Sequence, residues 1–272
     1  MFVNIAGYKF ISIAFLELNA IRDQLREYAL QLEIKGTILL STEGVNIFVA
    51  GSYLAMDDFK KRITAFAPFA DMHFKENESP ELPFSKMLVR IKNEIIAMGH
   101  EEVRPEHATA PYIDPVTLQQ WYEEKRDFVI LDTRNDYEVA VGTFENAIDL
   151  NIENFRQFPD AVKMLPAEMK QKPVVTFCTG GIRCEKAAAY MQQQGFKEVY
   201  QLSGGILNYF EKMGGTHYRG ECFVFDKRLT VDTKLNSTET ECCFAHRSET
   251  ETNTTCPYCQ HLRQSRKTEP QL

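Results

Sequence analysis

The stretch that decides the fold is VVTFCTGGIRCEKA, residues 174–187. Its first four residues form a short apolar run, which is typical of a buried strand. Cys178 follows that run, and Gly180 and Gly181 permit a tight turn into an alanine-rich helix. Open α/β sheets place their functional sites where strands end in this way. We therefore expect Cys178 to lie at the functional edge of a sheet.

The same pattern continues on both sides of this stretch. The spacing of apolar residues predicts helices over residues 116–124 and 185–194. Short apolar runs predict strands over residues 128–132, 174–177 and 199–202. Helices that alternate with short apolar strands are typical of a parallel sheet with helices on both faces. We therefore predict an α/β domain with a central parallel sheet.

The segment before this domain predicts a different fold. Its pattern gives the order strand, helix, strand, strand, helix, strand, which is that of a split βαβ, or ferredoxin-like, α+β domain. The predicted elements are a strand over residues 9–16, a helix over residues 19–32, strands over residues 37–40 and 45–49 and a helix over residues 53–66. One or two strands follow, and another strand over residues 86–91 comes after the proline-rich break at residues 79–83.

Composition shifts along the chain indicate the domain boundaries. We assign residues 1–100 to the ferredoxin-like domain and residues 112–232 to the α/β domain. Residues 101–111 are polar and bounded by proline, which is typical of a linker. Residues 233–272 are rich in Ser, Thr, Glu and Asn, and we interpret them as a cysteine-rich tail.

Composition also disfavours several classes of protein. The apolar run over residues 10–16 is too short for a secretion signal or a membrane span, so we expect no membrane partner. Five of the seven cysteines lie from Cys222 onward, which does not fit a secreted disulfide framework. We therefore expect reduced thiols in a soluble, cytoplasmic protein. The net charge of −7 disfavours a protein that coats nucleic acid, including DNA, without specificity.

Cys178 stands where its thiol should ionise readily. The loop between Cys178 and Arg183 consists of Thr179, Gly180, Gly181 and Ile182. Backbone N–H groups of this loop, the positive end of the next helix and Arg183 should lower the thiol pKa from about 8.5 toward or below neutrality. The alternative is a small buried residue, but this loop fits an anion better than a core. We therefore predict Cys178 and Arg183 as catalytic residues.

The length of the loop favours a small group on the sulfur. Four residues separate Cys178 from Arg183, one fewer than in phosphatases of the Cys-x5-Arg type, whose loop wraps a phosphate. The smaller ring suits a persulfide.

Three motifs, in this order, resemble the rhodanese superfamily. They are ILDTR at residues 130–134 with Tyr137 and Glu138, the Cys-x-x-Gly-x-Arg loop that starts at Cys178, and LSGGI at residues 202–206. Residues 142–148 read GTFENAI where rhodanese domains commonly have Gly-His-Ile-x-Gly-Ala. That difference disfavours a plain thiosulfate sulfurtransferase.

A closer resemblance covers nearly the whole chain. Residues 36–51, 178–187 and 220–226 together resemble the rhodanese-related tRNA uridine hydroxylases. This resemblance implies oxygen-dependent conversion of the wobble uridine of tRNA to 5-hydroxyuridine, with Cys178 as a persulfide-forming residue. It further implies molecular oxygen as a co-substrate, an electron donor that it leaves unnamed, and the anticodon region of tRNA as partner. A protein that donates sulfur or electrons is a further expected partner.

Two other functions remain as alternatives. A sulfurtransferase would pass persulfide sulfur from Cys178 to a small acceptor or a protein. A non-catalytic binding module would use the rhodanese fold only to present a surface, and the intact Cys178 counts against that interpretation.

Supporting roles are predicted for residues near the loop. Asp132 and Arg134 are expected to form a salt bridge that braces the loop, and we favour a structural pair without substrate contact. Cys184 is either a resolving thiol for Cys178 or a small polar residue that opens the helix, and we favour the structural role.

Two further sites are predicted outside the loop. Cys256-x-x-Cys259 is half of a tetrahedral zinc site, and Cys242 or Cys243 with His246 is the candidate other half. Reduced thiols or disulfides are the alternative. The basic run Lys60, Lys61 and Arg62 is a candidate RNA-binding surface, and a merely solvated face is the alternative.

Overall fold

The computed structural model describes residues 1–238 and residue 240. Its chain divides into two units, Met1–Ala108 and Thr109–Leu272. The helices and strands of the first unit are β1 (Phe2–Phe10), α1 (Leu18–Gln31), β2 (Lys35–Ser41), β3 (Gly44–Gly51), α2 (Tyr53–Thr64), β4 (Lys75–Ser79) and β5 (Met87–Ile91).

The first unit is a sheet with the strand order β4-β1-β3-β2-β5. The pairs within β4-β1-β3-β2 are antiparallel, and β5 adds to β2 in parallel. The order β4-β1-β3-β2 with two crossover helices confirms the predicted ferredoxin-like fold, which β5 extends by one strand. The core includes Ile38, Val45 and Phe59, all fully buried.

Local sequence explains both helices. α1 buries Leu18, Ile21, Leu25 and Ala29, and a spacing of three or four residues places such side chains on one helix face. α2 begins after Ser52, whose hydroxyl accepts a hydrogen bond from the Ala55 N–H at 3.3 Å. That contact satisfies one of the free N–H groups of the first turn.

The predicted strand over residues 9–16 is wrong, because β1 ends at Phe10. Phe10 pairs with Gly44, the first residue of β3. Beyond it the backbone N–H groups of Ile11 and Ile13 bond to the turn that precedes β3. Leu16 is 90% exposed, so the apolar run does not continue a buried strand. The sequence pattern misled because an apolar composition alone does not supply a pairing partner.

The helices and strands of the second unit are β6 (Tyr112–Ile113), α3 (Pro115–Glu123), β7 (Val129–Asp132), α4 (Asp136–Val139), β8 (Gly142–Phe144), β9 (Ile148–Asp149), α5 (Phe158–Lys163), β10 (Pro173–Phe177), α6 (Ile182–Gln193), β11 (Glu198–Leu202), α7 (Gly205–Met213), β12 (Tyr218–Gly220), β13 (Cys222–Phe223) and β14 (Thr230–Val231).

The second unit is built on a sheet with the order β6-β11-β10-β7-β9, and every pair in it is parallel. This confirms the predicted parallel α/β sheet. Two small antiparallel pairs, β8 with β12 and β13 with β14, were not predicted. Val175 and Phe177 on β10 are fully buried, and every residue of α6 from Ile182 to Met191 is buried as well. β10 and α6 therefore lie inside the unit and hold the loop between them in place.

In the part of the chain that the structure describes, no helix is both long enough and apolar enough to cross a membrane.

Candidate active site

Cys178 lies at the carboxyl edge of the parallel sheet, directly after β10. Phe177 at the end of β10 is level with Asp132 at the end of β7. The Phe177 carbonyl accepts hydrogen bonds from the Thr133 N–H at 3.0 Å and from the Thr133 hydroxyl at 2.9 Å. The two strand ends are thus tied together immediately before Cys178, which fixes where the loop begins.

The loop is folded around the sulfur. The Gly181 N–H donates a hydrogen bond to the Cys178 Sγ at 3.0 Å, and Gly181 has a φ of 105°, in the left-handed region that glycine tolerates best. On the other side, the N–H of Ile206 in α7 donates to the Cys178 carbonyl at 2.9 Å. A Cβ added at Gly205 would lie 2.3 Å from that carbonyl oxygen, so only glycine permits this approach.

The surroundings of Cys178 favour its thiolate. Burial alone would raise the thiol pKa, but several opposing contacts lower it from 9.0 to about 5. The largest is a hydrogen bond from the Cys184 thiol, followed by the charge of Arg183 and the N–H groups of Arg183 and Gly181. Cys178 is only 1% exposed, so the anion is stabilised by fixed protein groups rather than by water.

Cys184 behaves oppositely to Cys178. Burial, together with the neighbouring Cys178 thiolate, raises the pKa of Cys184 well above 9.0. Cys184 therefore keeps its proton at neutral pH and donates it in a hydrogen bond to Cys178. Both cysteines are free thiols in the structure.

Arg183 is held by the carboxylate of Glu138. In the sequence, Glu138 stands out only as part of the motif that begins with ILDTR at residues 130–134. The guanidinium bonds Glu138 twice, Nη1 to Oε2 at 2.5 Å and Nη2 to Oε1 at 2.7 Å. The side chains are 6% and 0% exposed. Burial would raise the Glu138 pKa, but Arg183 overrides this and keeps the pKa below 4.5. The Thr179 hydroxyl also bonds Glu138, at 3.3 Å, so Glu138 joins the two ends of the loop.

Asp132 and Arg134 form a buried pair beneath this site. The Arg134 Nη2 lies 2.7 Å from the Asp132 Oδ2, and both side chains are 0% exposed. Arg134 also donates to the carbonyl oxygens of Gly142 at 2.6 Å and Glu138 at 3.3 Å. These bonds join β7, α4 and β8, and in this way position the backbone that carries Glu138.

The loop borders open space at Gly180, and an exposed aromatic ring lies beside Arg183. A Cβ added at Gly180 would meet no atom within 4 Å, so the loop faces open space there. The Phe225 ring is 51% exposed, and its centroid lies 5.8 Å from the Arg183 Cζ. In the sequence, residues 220–226 stand out only by their resemblance to the tRNA uridine hydroxylases. The spacing of apolar residues does not single out Phe225, because the strand before it has only two residues.

The candidate RNA-binding residues Lys60, Lys61 and Arg62 lie on α2, in the other unit. Lys60 pairs with Glu76 at 2.6 Å, Lys61 with Asp57 at 2.7 Å and Arg62 with Asp58 at 2.9 Å. All three charges thus have acidic partners, so the run is a mixed surface rather than a purely positive one.

The candidate zinc ligands Cys242, His246, Cys256 and Cys259, together with Cys243, lie outside the described residues. Within the described residues, no group of three or more His, Cys, Asp or Glu side chains is arranged to hold a metal ion.

Comparison with known proteins agrees with the two folds. The first unit matches the family model of the UPF0176 acylphosphatase like domain over residues 2–95. The second unit matches the model of the rhodanese-like domain over residues 114–212.

Curated relatives cover most of the chain. A protein of Cupriavidus taiwanensis named tRNA uridine(34) hydroxylase is 51% identical over 251 residues, which cover 90% of this chain and 88% of the relative. A protein of the same name from Bordetella avium is 52% identical over 238 residues, which cover 86% of this chain and 98% of that relative. The chain therefore belongs to the tRNA uridine(34) hydroxylase family.

Proposed function

We propose that this protein is an oxidoreductase that hydroxylates the wobble uridine of tRNA to 5-hydroxyuridine, with Cys178 as its reactive thiolate. The name of the relatives supports the reaction and the substrate. The observation that supports the chemistry is the buried Cys178 sulfur, whose pKa of about 5 leaves it ionised at neutral pH. A thiolate is the form of cysteine that attacks and carries sulfur or oxygen.

The residues around Cys178 suit a sulfur that changes its bonding during the reaction. The Gly181 N–H and the Arg183 charge stabilise negative charge on Sγ. The Cys184 thiol holds a proton next to it. A persulfide at Cys178 would carry its outer sulfur beyond Sγ, within the loop that holds Gly180 and Gly181. We assign delivery of that sulfur to a donor protein that itself carries a persulfide. The Cys178 thiolate attacks the outer sulfur of the donor, the donor's S–S bond breaks, and the donor leaves as a thiolate.

The proposed reaction needs two further reactants. Molecular oxygen supplies one atom to the new C–O bond of the uridine, and the other atom leaves as water. This stoichiometry requires two electrons and two protons from outside the tRNA. We assign them to a separate electron donor.

We further propose that the ferredoxin-like unit binds the anticodon region of tRNA through Lys60, Lys61 and Arg62. The Lys61 side chain is 73% exposed, so a phosphate oxygen can replace its carboxylate partner. Replacing the three residues by Glu should weaken tRNA binding and flatten its salt dependence, because fewer counterions are released. Glu substitutions of Lys163, Lys172 and Arg219, which also form exposed ion pairs, are the matched control with the same change in charge. Equal losses of tRNA affinity in both variants would contradict this assignment.

Mass spectrometry of tRNA nucleosides, from cells with and without this protein, tests the proposed reaction. We expect 5-hydroxyuridine to fall when the protein is removed. Oxygen-18 gas should label the hydroxyl oxygen when the purified protein acts on unmodified tRNA. Unchanged 5-hydroxyuridine, together with transfer of persulfide sulfur to a small acceptor, would instead establish a sulfurtransferase.

A further inference from the structure

The exposed Phe225 ring lies beside the groups that stabilise the Cys178 thiolate. Its neighbours in sequence, Phe223 and Val224, are 4% and 5% exposed, whereas Phe225 is 51% exposed. A single exposed apolar residue is ordinary on a protein surface. Phe225 differs because its ring centroid lies 5.8 Å from the Cζ of Arg183, the residue whose charge lowers the Cys178 pKa.

Other aromatic side chains contact the ring or its segment. Phe223 meets it edge to face, with centroids 5.1 Å apart at 85°. Tyr137 meets Phe223 in the same way, at 5.3 Å and 83°. The Phe223 carbonyl accepts a hydrogen bond from the Thr179 hydroxyl at 3.3 Å. The segment that carries Phe225 is therefore attached to the Cys178 loop itself.

A tight turn holds the same segment from the other end. Arg228 bonds Asp226 through Nε to Oδ1 at 2.9 Å and Nη2 to Oδ2 at 2.5 Å. The Val224 N–H donates to the Leu229 carbonyl at 2.8 Å. Phe225 lies between these contacts, so its position is set before any ligand binds. A preformed aromatic surface loses little conformational freedom when a flat ligand stacks on it.

These observations fit a nucleobase as the ligand. An enzyme that modifies a carbon of a base must take that base out of its stack, and an aromatic side chain commonly replaces the lost stacking. Stacking depends on the flat face of the base and on no particular hydrogen bond. Arg183 connects the ring to the sulfur, because it lies over the Phe225 ring and its charge stabilises the Cys178 thiolate.

We propose that Phe225 is the stacking platform for the target uridine. The base leaves the anticodon loop, lies on the exposed Phe225 ring and presents its edge toward the Cys178 loop. This proposal rests on the proposed function, because it takes the substrate to be a uridine in RNA.

The test compares three variants with the wild-type protein. Phe225→Leu keeps apolar bulk against Phe223 and removes the aromatic face, whereas Phe225→Trp keeps an aromatic face. Met164→Ala removes a side chain that is 85% exposed in the same unit and serves as the control. Alkylation of Cys178 at pH 6 shows that each variant is folded and keeps its thiolate.

We expect Phe225→Leu to lower kcat/KM for tRNA hydroxylation by about tenfold to a hundredfold, the usual effect of losing one base–aromatic stack. Phe225→Trp and Met164→Ala should stay within about threefold of wild type, by the same reasoning. Wild-type kcat/KM in Phe225→Leu would overturn the proposal. So would an equal loss in Phe225→Leu and Phe225→Trp, because the aromatic face would then not be what matters.

A binding measurement separates this proposal from the proposed function. The probe is an anticodon stem-loop RNA with 2-aminopurine at the wobble position, whose fluorescence reports stacking. Wild-type protein and Phe225→Trp should change the fluorescence, and Phe225→Leu should not. If the fluorescence changes with wild type and Phe225→Trp but not with Phe225→Leu, and no 5-hydroxyuridine forms, the stacking proposal stands and the proposed reaction fails. If hydroxylation occurs and the fluorescence response is the same in all variants, the stacking proposal fails alone.

Discussion

Arg183 and Glu138 form a bidentate ion pair next to the Cys178 loop, with N–O distances of 2.5 and 2.7 Å. Both side chains are nearly fully buried. Arg183 therefore acts on Cys178 as a fixed positive charge, and two of its three guanidinium nitrogens are already occupied. This arrangement differs from an arginine that turns freely toward a bound anion. It makes Glu138 a positioning residue for the site.

Replacing Glu138 by Gln should destabilise the protein. The change leaves Arg183 buried without its counter-charge, and breaking a buried ion pair in this way costs about 3–5 kcal/mol. Urea unfolding measures the loss. Glu145→Gln is the control, because Glu145 is more exposed and pairs with His217 at 3.1 Å. Its loss of stability should be much smaller, because water screens an exposed pair. Equal stabilities of the two variants would show that the Glu138 pair is not a structural element.

The pH dependence of Cys178 reactivity should be unusual for a cysteine. With a pKa of about 5, the thiolate should be almost complete at pH 7, and alkylation should slow only as pH falls through 5. Cys184 and Cys222 are internal controls, because their pKa values are raised, that of Cys222 to about 12. Mass spectrometry of peptides alkylated between pH 4 and 9 gives all three profiles. An alkylation midpoint of Cys178 near pH 8.5 would contradict the described stabilisation of its thiolate.

The same pKa shift should appear in stability. The folded pKa of Cys178 lies below the unfolded value of about 8.5, so the thiolate stabilises the folded state fully above the unfolded pKa. This contribution declines as pH falls and is lost below about 5. Cys178→Ser should therefore flatten the pH dependence of the free energy of unfolding between pH 9 and 5. An unchanged slope in this variant would contradict the assignment.

The Cys184 thiol should set part of the Cys178 pKa. Cys184→Ala removes the hydrogen-bond donor and should move the alkylation midpoint of Cys178 to higher pH, whereas Cys184→Ser keeps a donor and should move it less. The alkylation profile measures both. Identical midpoints in wild type and Cys184→Ala would remove Cys184 from the network. This outcome would leave only its small size as the reason for its place in α6.

Sequence patterns predicted the parts of the site that are local in the chain. The buried strand, the glycine turn and the helix after Cys178 are consecutive, so periodicity and glycine placement suffice to indicate them. The partner of Arg183 is different, because Glu138 lies 45 residues away and reaches it through the tertiary fold. Phe225 is likewise placed by a turn and by pairs of aromatic rings, which no periodicity encodes. The predicted strand at residues 9–16 shows the converse, since its apolar residues beyond Phe10 have no strand to pair with.

The tail provides a test that is independent of the Cys178 site. If Cys256 and Cys259 bind zinc together with Cys242 and His246, elemental analysis of the full chain should find about one zinc per chain. Cys259→Ser should lose it, and Cys222→Ala, at a buried cysteine outside the tail, should keep it. Metal-free wild-type protein with full activity would end this proposal.

The most direct test of the account is the content of 5-hydroxyuridine in tRNA from cells that carry only the Cys178→Ser variant. A serine hydroxyl cannot form a thiolate or carry persulfide sulfur. The account predicts that wild type and Cys222→Ala restore 5-hydroxyuridine in cells lacking the protein, while Cys178→Ser, at equal protein abundance, does not. Normal 5-hydroxyuridine with the folded Cys178→Ser variant would contradict the central role of this sulfur.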